Sequence, residues 1–299
     1  MSDSGGLLSC SVVIPAFNAE RWIGQAVESV LSQTHPCLQV VVVDDGSSDR
    51  TADLLCDFGD QVLVARQSNQ GVASARNAGA ALTDSTHLAF LDADDVWESD
   101  KIALQMARFA AEPELVMVHC GVVEVDADGY ELSGRVQKGR SGDIYRDLVM
   151  QEPAVYGGGS GPVFVRWVFD LVGGFDTRFS TSADWHFWLR VARHGPVGLV
   201  DEPLLRYRIH DSNMHANVDA ERHDMLLGLK ETIAGDPTLS SVGHKALARC
   251  HRMLAGGYWN QGRYGRAVPQ VIAALVRDPI NLHYFIRKLH HLFDVSIRY

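Results

Sequence analysis

His87-Leu88-Ala89-Phe90-Leu91-Asp92-Ala93-Asp94-Asp95-Val96-Trp97 is the stretch on which the reading of the fold turns. The apolar run 88–91 reads as a buried parallel strand, and it stops at three carboxylates, Asp92, Asp94 and Asp95. Three acids within four residues repel one another, and they resist ionising together at neutral pH unless a cation sits among them. Hard oxygen donors on a loop suit Mg²⁺ or Mn²⁺. In open α/β sheets, ligands bind beyond the carboxyl ends of the strands, where these acids fall. The stretch predicts either a divalent metal holding a phosphorylated ligand or a solvated turn with an N-cap.

Upstream, 10–14 is a β-branched run stopped by Pro15, and Asn18 precedes an amphipathic helix over about 20–32. Valines 40–43 end in Asp44-Asp45-Gly46-Ser47-Ser48-Asp49, followed by a helix over 51–58, a strand over 62–65 and a helix over 71–82. This alternation predicts a doubly wound, mostly parallel α/β sheet with right-handed crossovers. Two strands then end in clustered aspartates. If they are neighbours, their acids line one crevice.

Downstream, 99–111 reads as a helix capped by Ser99, and 116–125 as a strand entering a hairpin turn at Asp128-Gly129. Residues 135–161 show weak patterning and are expected as loops over the active-site edge. Gly157-Gly158-Gly159-Ser160-Gly161 lacks the Lys-Ser/Thr of a P-loop and reads as a flexible loop. A strand over 162–165, a turn at 173–176, a helix over 182–194 and a strand over 204–209 follow, the last leading into His210. On the helix, Trp185, Phe187 and Trp188 surround Asp184; they form core or a face for a sugar ring, and Asp184 in such a setting is a tunable base.

Beyond about 219 the pattern is helical only, which divides the chain into 1–218 and 219–299. His251, Leu254, Ala255, Tyr258, Gly262, Ala267, Val271, Ala274 and Pro279 fall at the spacings of one tetratricopeptide unit, expected as a helical hairpin packed on the larger domain. The tail 282–299 is basic and amphipathic. Docking on the protein is its expected fate, with a membrane surface as the alternative.

The formal net charge of −10 over 299 residues argues against a nucleic-acid partner. Five scattered cysteines without a Cys-x-x-Cys indicate neither zinc nor a disulfide framework, and fit a reducing cytoplasm. The polar start and the lack of a long apolar run predict a cytoplasmic protein, soluble or peripheral at a membrane.

Taken in order, Val12-Val13-Ile14-Pro15-Ala16-Phe17-Asn18, Val41-Val42-Val43-Asp44-Asp45-Gly46-Ser47-Ser48-Asp49, Asn69-Gln70-Gly71 with Ala75-Arg76-Asn77, and Leu91-Asp92-Ala93-Asp94-Asp95 resemble the family 2 glycosyltransferases of GT-A fold. The likeness runs from about Ser9 to Trp97 and resumes weakly from Ser182 to His210. It implies metal-dependent, inverting transfer of a sugar from a nucleotide-diphosphate donor to the hydroxyl of a glycan or lipid-linked acceptor, in glycan, polysaccharide or glycolipid synthesis, with Mg²⁺ or Mn²⁺.

By the same resemblance, Pro15, Phe17 and Asn18 border the nucleotide pocket, and Asp45 or Asp44 accepts a hydrogen bond from the base. Arg76 faces the diphosphate, Asp94 binds the metal, Asp92 lies nearer the ribose or a metal water, and His210 closes over metal and diphosphate. Asp184 is the implied base. One departure is Ala183, where the family often carries a second acid.

Two other readings compete. Asp92-Ala93-Asp94-Asp95-Val96 also fits the Asp-x-Asp-x-Val signature of haloacid-dehalogenase-type phosphatases, with Asp92 as nucleophile and Asp94 as general acid. That family places its second acidic pair after the motif, whereas Asp44 and Asp45 precede it. A sugar-nucleotide-binding module without catalysis is the other alternative, and Ala183 is the feature that points to it.

Overall fold

Valines make the middle of the sheet, as β-branched side chains fit a buried pleated surface. Strands β1 (Cys10–Ala16) and β2 (Val40–Asp44) are buried along their whole length and run parallel, with Val12 opposite Val40 and Ala16 opposite Asp44. β3 (Leu63–Arg66) extends the sheet beyond β2 as a solvent-facing edge, and β4 (His87–Phe90) pairs with β1 on its other side. Helices α1 (Ile23–Leu31), α2 (Thr51–Leu55) and α3 (Val72–Ala81) make the crossovers. The two acid-tipped strands, β2 and β4, are therefore not neighbours: β1 lies between them. Their acids sit one strand apart at the same edge of the sheet.

The computed structural model describes residues 8–211 and 218–285. After β4 come β5 (Val96–Trp97), α4 (Lys101–Ala111), β6 (Met117–Val125), β7 (Glu131–Gln137) and α5 (Tyr145–Val149). Then follow β8 (Val163–Val165), α6 (Arg166–Val172), α7 (Ala183–Ala192) and β9 (Val197–Arg208). The sheet order is β3-β2-β1-β4-β8-β6-β9-β5, with β7 hanging from β6. Parallel pairing holds through β4; β8 then runs antiparallel to both β4 and β6. β6 and β7 turn at the expected Asp128-Gly129, where Gly129 adopts φ +91° and the Asp126 carboxylate accepts from the backbone N–H of Asp128 and Tyr130.

Several local expectations change. β9 begins at Val197 and runs through Pro203, longer than the predicted 204–209, because its register against β6 shifts at Gly121 and absorbs the proline. Ser99 is not the cap of α4: the cap position is Asp100, and Gln33 Oε1 instead accepts from the N–H of Ile102 in the first turn. β5, α5 and α6 were not expected.

Contacts divide the chain into Met1–Leu148 with Pro153–Met214, and Val149–Glu152 with His215–Tyr299. In the second unit, α8 (Val218–Gly235) precedes a hairpin of α9 (Gly243–Asn260) and α10 (Tyr264–Arg277), turning at Gly262 with φ +70°. Leu254, Ala255, Tyr258, Ala267 and Ala274 are buried there. Val149–Glu152, assigned by sequence to the first unit, joins this one, where Glu152 pairs with Arg249 at 3.5 Å. Among the described residues no helix is long and apolar enough to cross a membrane. Most of the tail reading, from residue 286 on, lies outside the described residues.

Candidate active site

At the carboxyl end of β2, the main chain turns through Gly46 at φ +79° and places both acids under cover. Asp44 is fully buried: its Oδ1 accepts from Ser47 N–H at 2.9 Å, and its Oδ2 faces Arg66 at 3.3 Å without a hydrogen bond. Asp45, 3 % exposed, accepts from Gln67 Nε2, Gln70 N–H and Gly71 N–H, all at 2.8 Å. A carboxylate has about four acceptor positions, so one remains on Asp45. At the end of β1, Pro15 is buried opposite Val43, whereas Phe17 is half exposed. Asn18 sits at φ +49°, its Oδ1 accepting from Ser48 N–H and its own N–H bonded to Ser47 Oγ. The two strand ends are thus laced into one loop cluster.

One strand away, Asp92 accepts from Arg76 Nη2 at 2.5 Å. Arg76 projects from α3, is buried, and lies 5.1 Å from the Phe175 ring centroid. Burial opposes its charge, but Asp92 and Asp184 more than offset this and its pKa moves up. Asp94 Oδ2 meets His210 Nε2 at 2.9 Å, and the imidazole stacks on Trp22 with ring centroids 4.3 Å apart. Burial first, then Asp92, raises the pKa of Asp94, with His210 pulling the other way. Asp95 is turned inward, its Oδ2 accepting from Ser160 Oγ at 2.5 Å and its Oδ1 from Arg208 N–H at 2.9 Å. Desolvation, with Asp94 and Asp92 adding repulsion, holds Asp95 well above the ordinary carboxylate range.

The Gly157–Gly161 stretch is a packed floor rather than the flexible loop expected of it. Ser160 Oγ also accepts from Asp92 N–H, and Ser160 C=O accepts from Trp97 Nε1. A Cβ on Gly159 would lie 2.3 Å from Arg76 Nη2, so only glycine lets the backbone close against the guanidinium. A Cβ on Gly158 would lie 3.3 Å from Asp184 Oδ2 and 3.8 Å from Asp92 Oδ2. Asp184 and Asp92, 92 positions apart in sequence, therefore flank one point above the loop.

Asp184 enters at the first turn of α7, half-buried, and accepts from Trp185 N–H. Phe187 and Trp188 are core, and Phe187 packs with Phe164, Phe169 and Phe175. Trp185 is partly buried, with its indole N–H bonded to Leu148 C=O. Ala183 is buried, so an acid there would lose its hydration.

Sequence reading missed Tyr207, whose ring edge lies 3.7 Å from the Gly158 Cβ position and whose pKa is pushed up by burial and then by Asp95, Asp92, Asp184 and Asp94. It also missed Arg208, which binds Asp94 C=O at 2.7 Å and Gln25 Oε1 at 3.0 Å. The alternation Tyr207-Arg208-Ile209-His210 at a strand end was the available signal. Among the described residues, no three acidic or histidine side chains close around a point as a finished metal centre. Two mutually repelling carboxylates beside an imidazole are nonetheless the donor chemistry of a hard divalent cation.

The model for glycosyl transferase family 2 matches residues 11–169. An uncharacterized glycosyltransferase of Nostoc sp. is 30 % identical over 220 residues, covering 70 % of this chain and 67 % of that protein. One from Rickettsia felis is 27 % identical over 77 % of this chain but only 38 % of its own length, and for chondroitin synthase of Escherichia coli the figures are 27 %, 68 % and 29 %. The chain thus spans well under half of several relatives it matches. Among solved structures, residues 1–349 of S. aureus TarS superpose with a TM-score of 0.63 at 16 % identity, covering 89 % of this chain and 81 % of that one. The mannosyltransferase PcManGT from Pyrobaculum calidifontis, solved with GDP-Man and Mn²⁺, gives 0.62 at 18 % identity over 95 % and 79 %. With more than half of its length inside the family match and the same fold in these neighbours, this chain belongs to glycosyl transferase family 2 and carries the GT-A fold.

Proposed function

We propose that the protein transfers a sugar, with inversion, from a nucleotide-diphosphate sugar to the hydroxyl of a glycan or lipid-linked acceptor. The observation that carries this reading is the convergence of Asp184 and Asp92 on one point above Gly158, beside the buried guanidinium of Arg76. One carboxylate on the acceptor side and a cation on the phosphate side are what a single displacement needs.

Asp184 takes the proton of the acceptor hydroxyl as its oxygen attacks the anomeric carbon, and the diphosphate departs on the opposite face. Arg76 steadies the departing charge, and Asp45 keeps one acceptor position for the base while Asn18, Phe17 and Pro15 wall the pocket. Asp94, Asp92 and His210 would hold Mg²⁺ or Mn²⁺, which when bound supplies charge neutralisation at the diphosphate. Holding both reactants in line accounts for much of the remaining advantage. GDP-Man and Mn²⁺ in PcManGT, and UDP-GlcNAc in TarS, support the choice of donor class.

Asp92 as a phosphatase nucleophile finds no support, because Arg76 already clasps its Oδ1. The test is a transfer assay with UDP- and GDP-sugars and Mn²⁺ against a panel of sugar and lipid-linked acceptors. Donor binding with neither transfer nor slow donor hydrolysis would replace this reading with that of a binding module.

A further inference from the structure

Lys101 is fully buried at the start of α4 and, among the described residues, forms no ion pair with a carboxylate. Its ammonium donates to Gln105 Oε1 at 2.8 Å and sits 4.0 Å from the centroid of the Trp97 ring. The ionisable groups that act on it are three thiols, Cys10, Cys37 and Cys120, all held neutral by burial. A core does not keep an uncompensated ammonium for stability, since an apolar side chain of similar volume would avoid its desolvation.

What the lysine touches leads to the glycine floor. Gln105, with its carbonyl engaged by Lys101, directs its amide at Gly161 C=O (3.0 Å) and Val118 C=O (2.8 Å). Trp97, with its face against the ammonium, directs its indole N–H at Ser160 C=O (2.9 Å). Two successive carbonyls of the floor are thus fastened from below by the two side chains that Lys101 orients. Above them, Ser160 Oγ holds Asp92 N–H and Asp95, Gly159 backs Arg76, and Gly158 backs Asp184.

We propose that Lys101 and Gln105 are positioning residues for the transfer reaction: a buried relay that fixes the Gly157–Gly161 floor, and through it the spacing of Asp92, Arg76 and Asp184. The inference rests on the glycosyl-transfer reading above for its kinetic part only. The hydrogen bond that Lys101 donates orients Gln105, because a glutamine whose oxygen is occupied cannot flip its amide away from the two carbonyls.

The test uses the full chain and three substitutions, Lys101→Met, Gln105→Leu and Gln105→Glu. Gln105→Glu keeps an acceptor for Lys101 but withdraws both donors from the floor. Two readouts are taken: kcat and KM on whichever of UDP-GlcNAc and GDP-mannose the wild type turns over, and hydrogen exchange of the Ser160 and Gly161 amides without ligand. The expected result is a kcat about 10²-fold lower in all three, the usual effect of an ångström-scale misplacement, with a donor KM that rises as well because Arg76 and Asp92 rest on the same floor. The two loop amides should exchange about tenfold faster while β1 amides keep their wild-type protection. Gln105→Glu should melt near the wild-type temperature and still be slow.

Unchanged loop exchange overturns the proposal. So does a Gln105→Glu variant that regains both stability and turnover, since the lysine would then merely need an acceptor. If Lys101→Met fails to fold, the two Gln105 variants decide. If the wild type transfers no sugar at all, the transfer reading fails, and the exchange measurement still decides the relay.

Discussion

A carboxylate that acts as a base and one that acts as a ligand fail differently when amidated. Asp184→Asn keeps the size and the contact with Trp185 N–H but removes the proton acceptor, so turnover should fall by roughly 10²–10⁴-fold with donor affinity nearly unchanged. Asp94→Asn weakens the partner of His210 and one cation donor, and should cost donor binding as well as rate. Steady-state kinetics with calorimetry separates the two, and wild-type turnover by Asp184→Asn would move the base elsewhere. Lys101 offers a residue-scale test of a different kind. Its pKa is lowered to about 8 from 10.5, mainly by burial. Between those values the unfolded chain holds a proton that the folded chain has released, so stability rises with pH across that window and the benefit is lost as pH falls through about 8. The facing thiols, held neutral in the fold, ionise in the unfolded chain across the same window, so the measurable quantity is the difference from Lys101→Met. Wild-type unfolding free energy minus that of the variant should climb by about 3 kcal/mol from pH 7.5 to 10.5, as a pKa lowered from 10.5 to about 8 requires. A flat difference would mean the ammonium is solvated.

At the scale of elements, the first half of the chain was legible because its strands are valine-rich, end in acids, and alternate with helices of the right length. β1, β2 and β4 lie where the pattern put them, and so does the hairpin at Asp128-Gly129. The second half was legible in part: β8 and α7 lie where the pattern put them, and 204–209 falls inside β9 but for its last residue. The start of β9 was hidden because the strand crosses Pro203 through a register shift against β6, and upstream β5, two residues long, shows no period that sequence can reveal. The glycine floor was misread because composition reports permitted conformations, and here the absent side chains make room for Arg76 and Asp184. Two neighbouring substitutions should therefore differ. Gly159→Ala drives a methyl into the buried guanidinium and should displace Arg76, weakening donor binding and lowering stability by about 1–3 kcal/mol, the usual cost of overpacking. Gly158→Ala sits at φ +52° against Asp184 and should lower kcat more than it changes donor affinity. Equal losses of affinity in both variants would argue that the floor merely unfolds.

For the whole molecule, the family match ends at residue 169, whereas Asp184, Tyr207 and His210 lie beyond it. The fold brings this less legible half onto the legible one, through α7 and the end of β9. The result is a crevice crowded with carboxylates. Asp92, Asp94 and Asp95 meet a chain of net charge −10, and the guanidinium groups beside them are already engaged, Arg76 by Asp92 and Arg208 by Asp94 C=O. A nucleotide diphosphate entering that crevice brings further negative charge, and repulsion at this range in a partly desolvated site is strong. Neutralisation by protonating Asp94 or Asp95 would fade as pH rises, although both are held above their ordinary range. Donor binding at neutral pH should therefore require a divalent cation. Titrating UDP and GDP into the protein by calorimetry, with Mn²⁺ and then with EDTA, checks this directly. The expected loss in EDTA is at least about tenfold in affinity, corresponding to about 1.4 kcal/mol. Lowering the pH should recover part of it, since protonated acids repel the diphosphate less. Equal affinity in Mn²⁺ and EDTA at neutral pH would mean that Arg76 suffices and that Asp94 and His210 close on each other rather than on a metal.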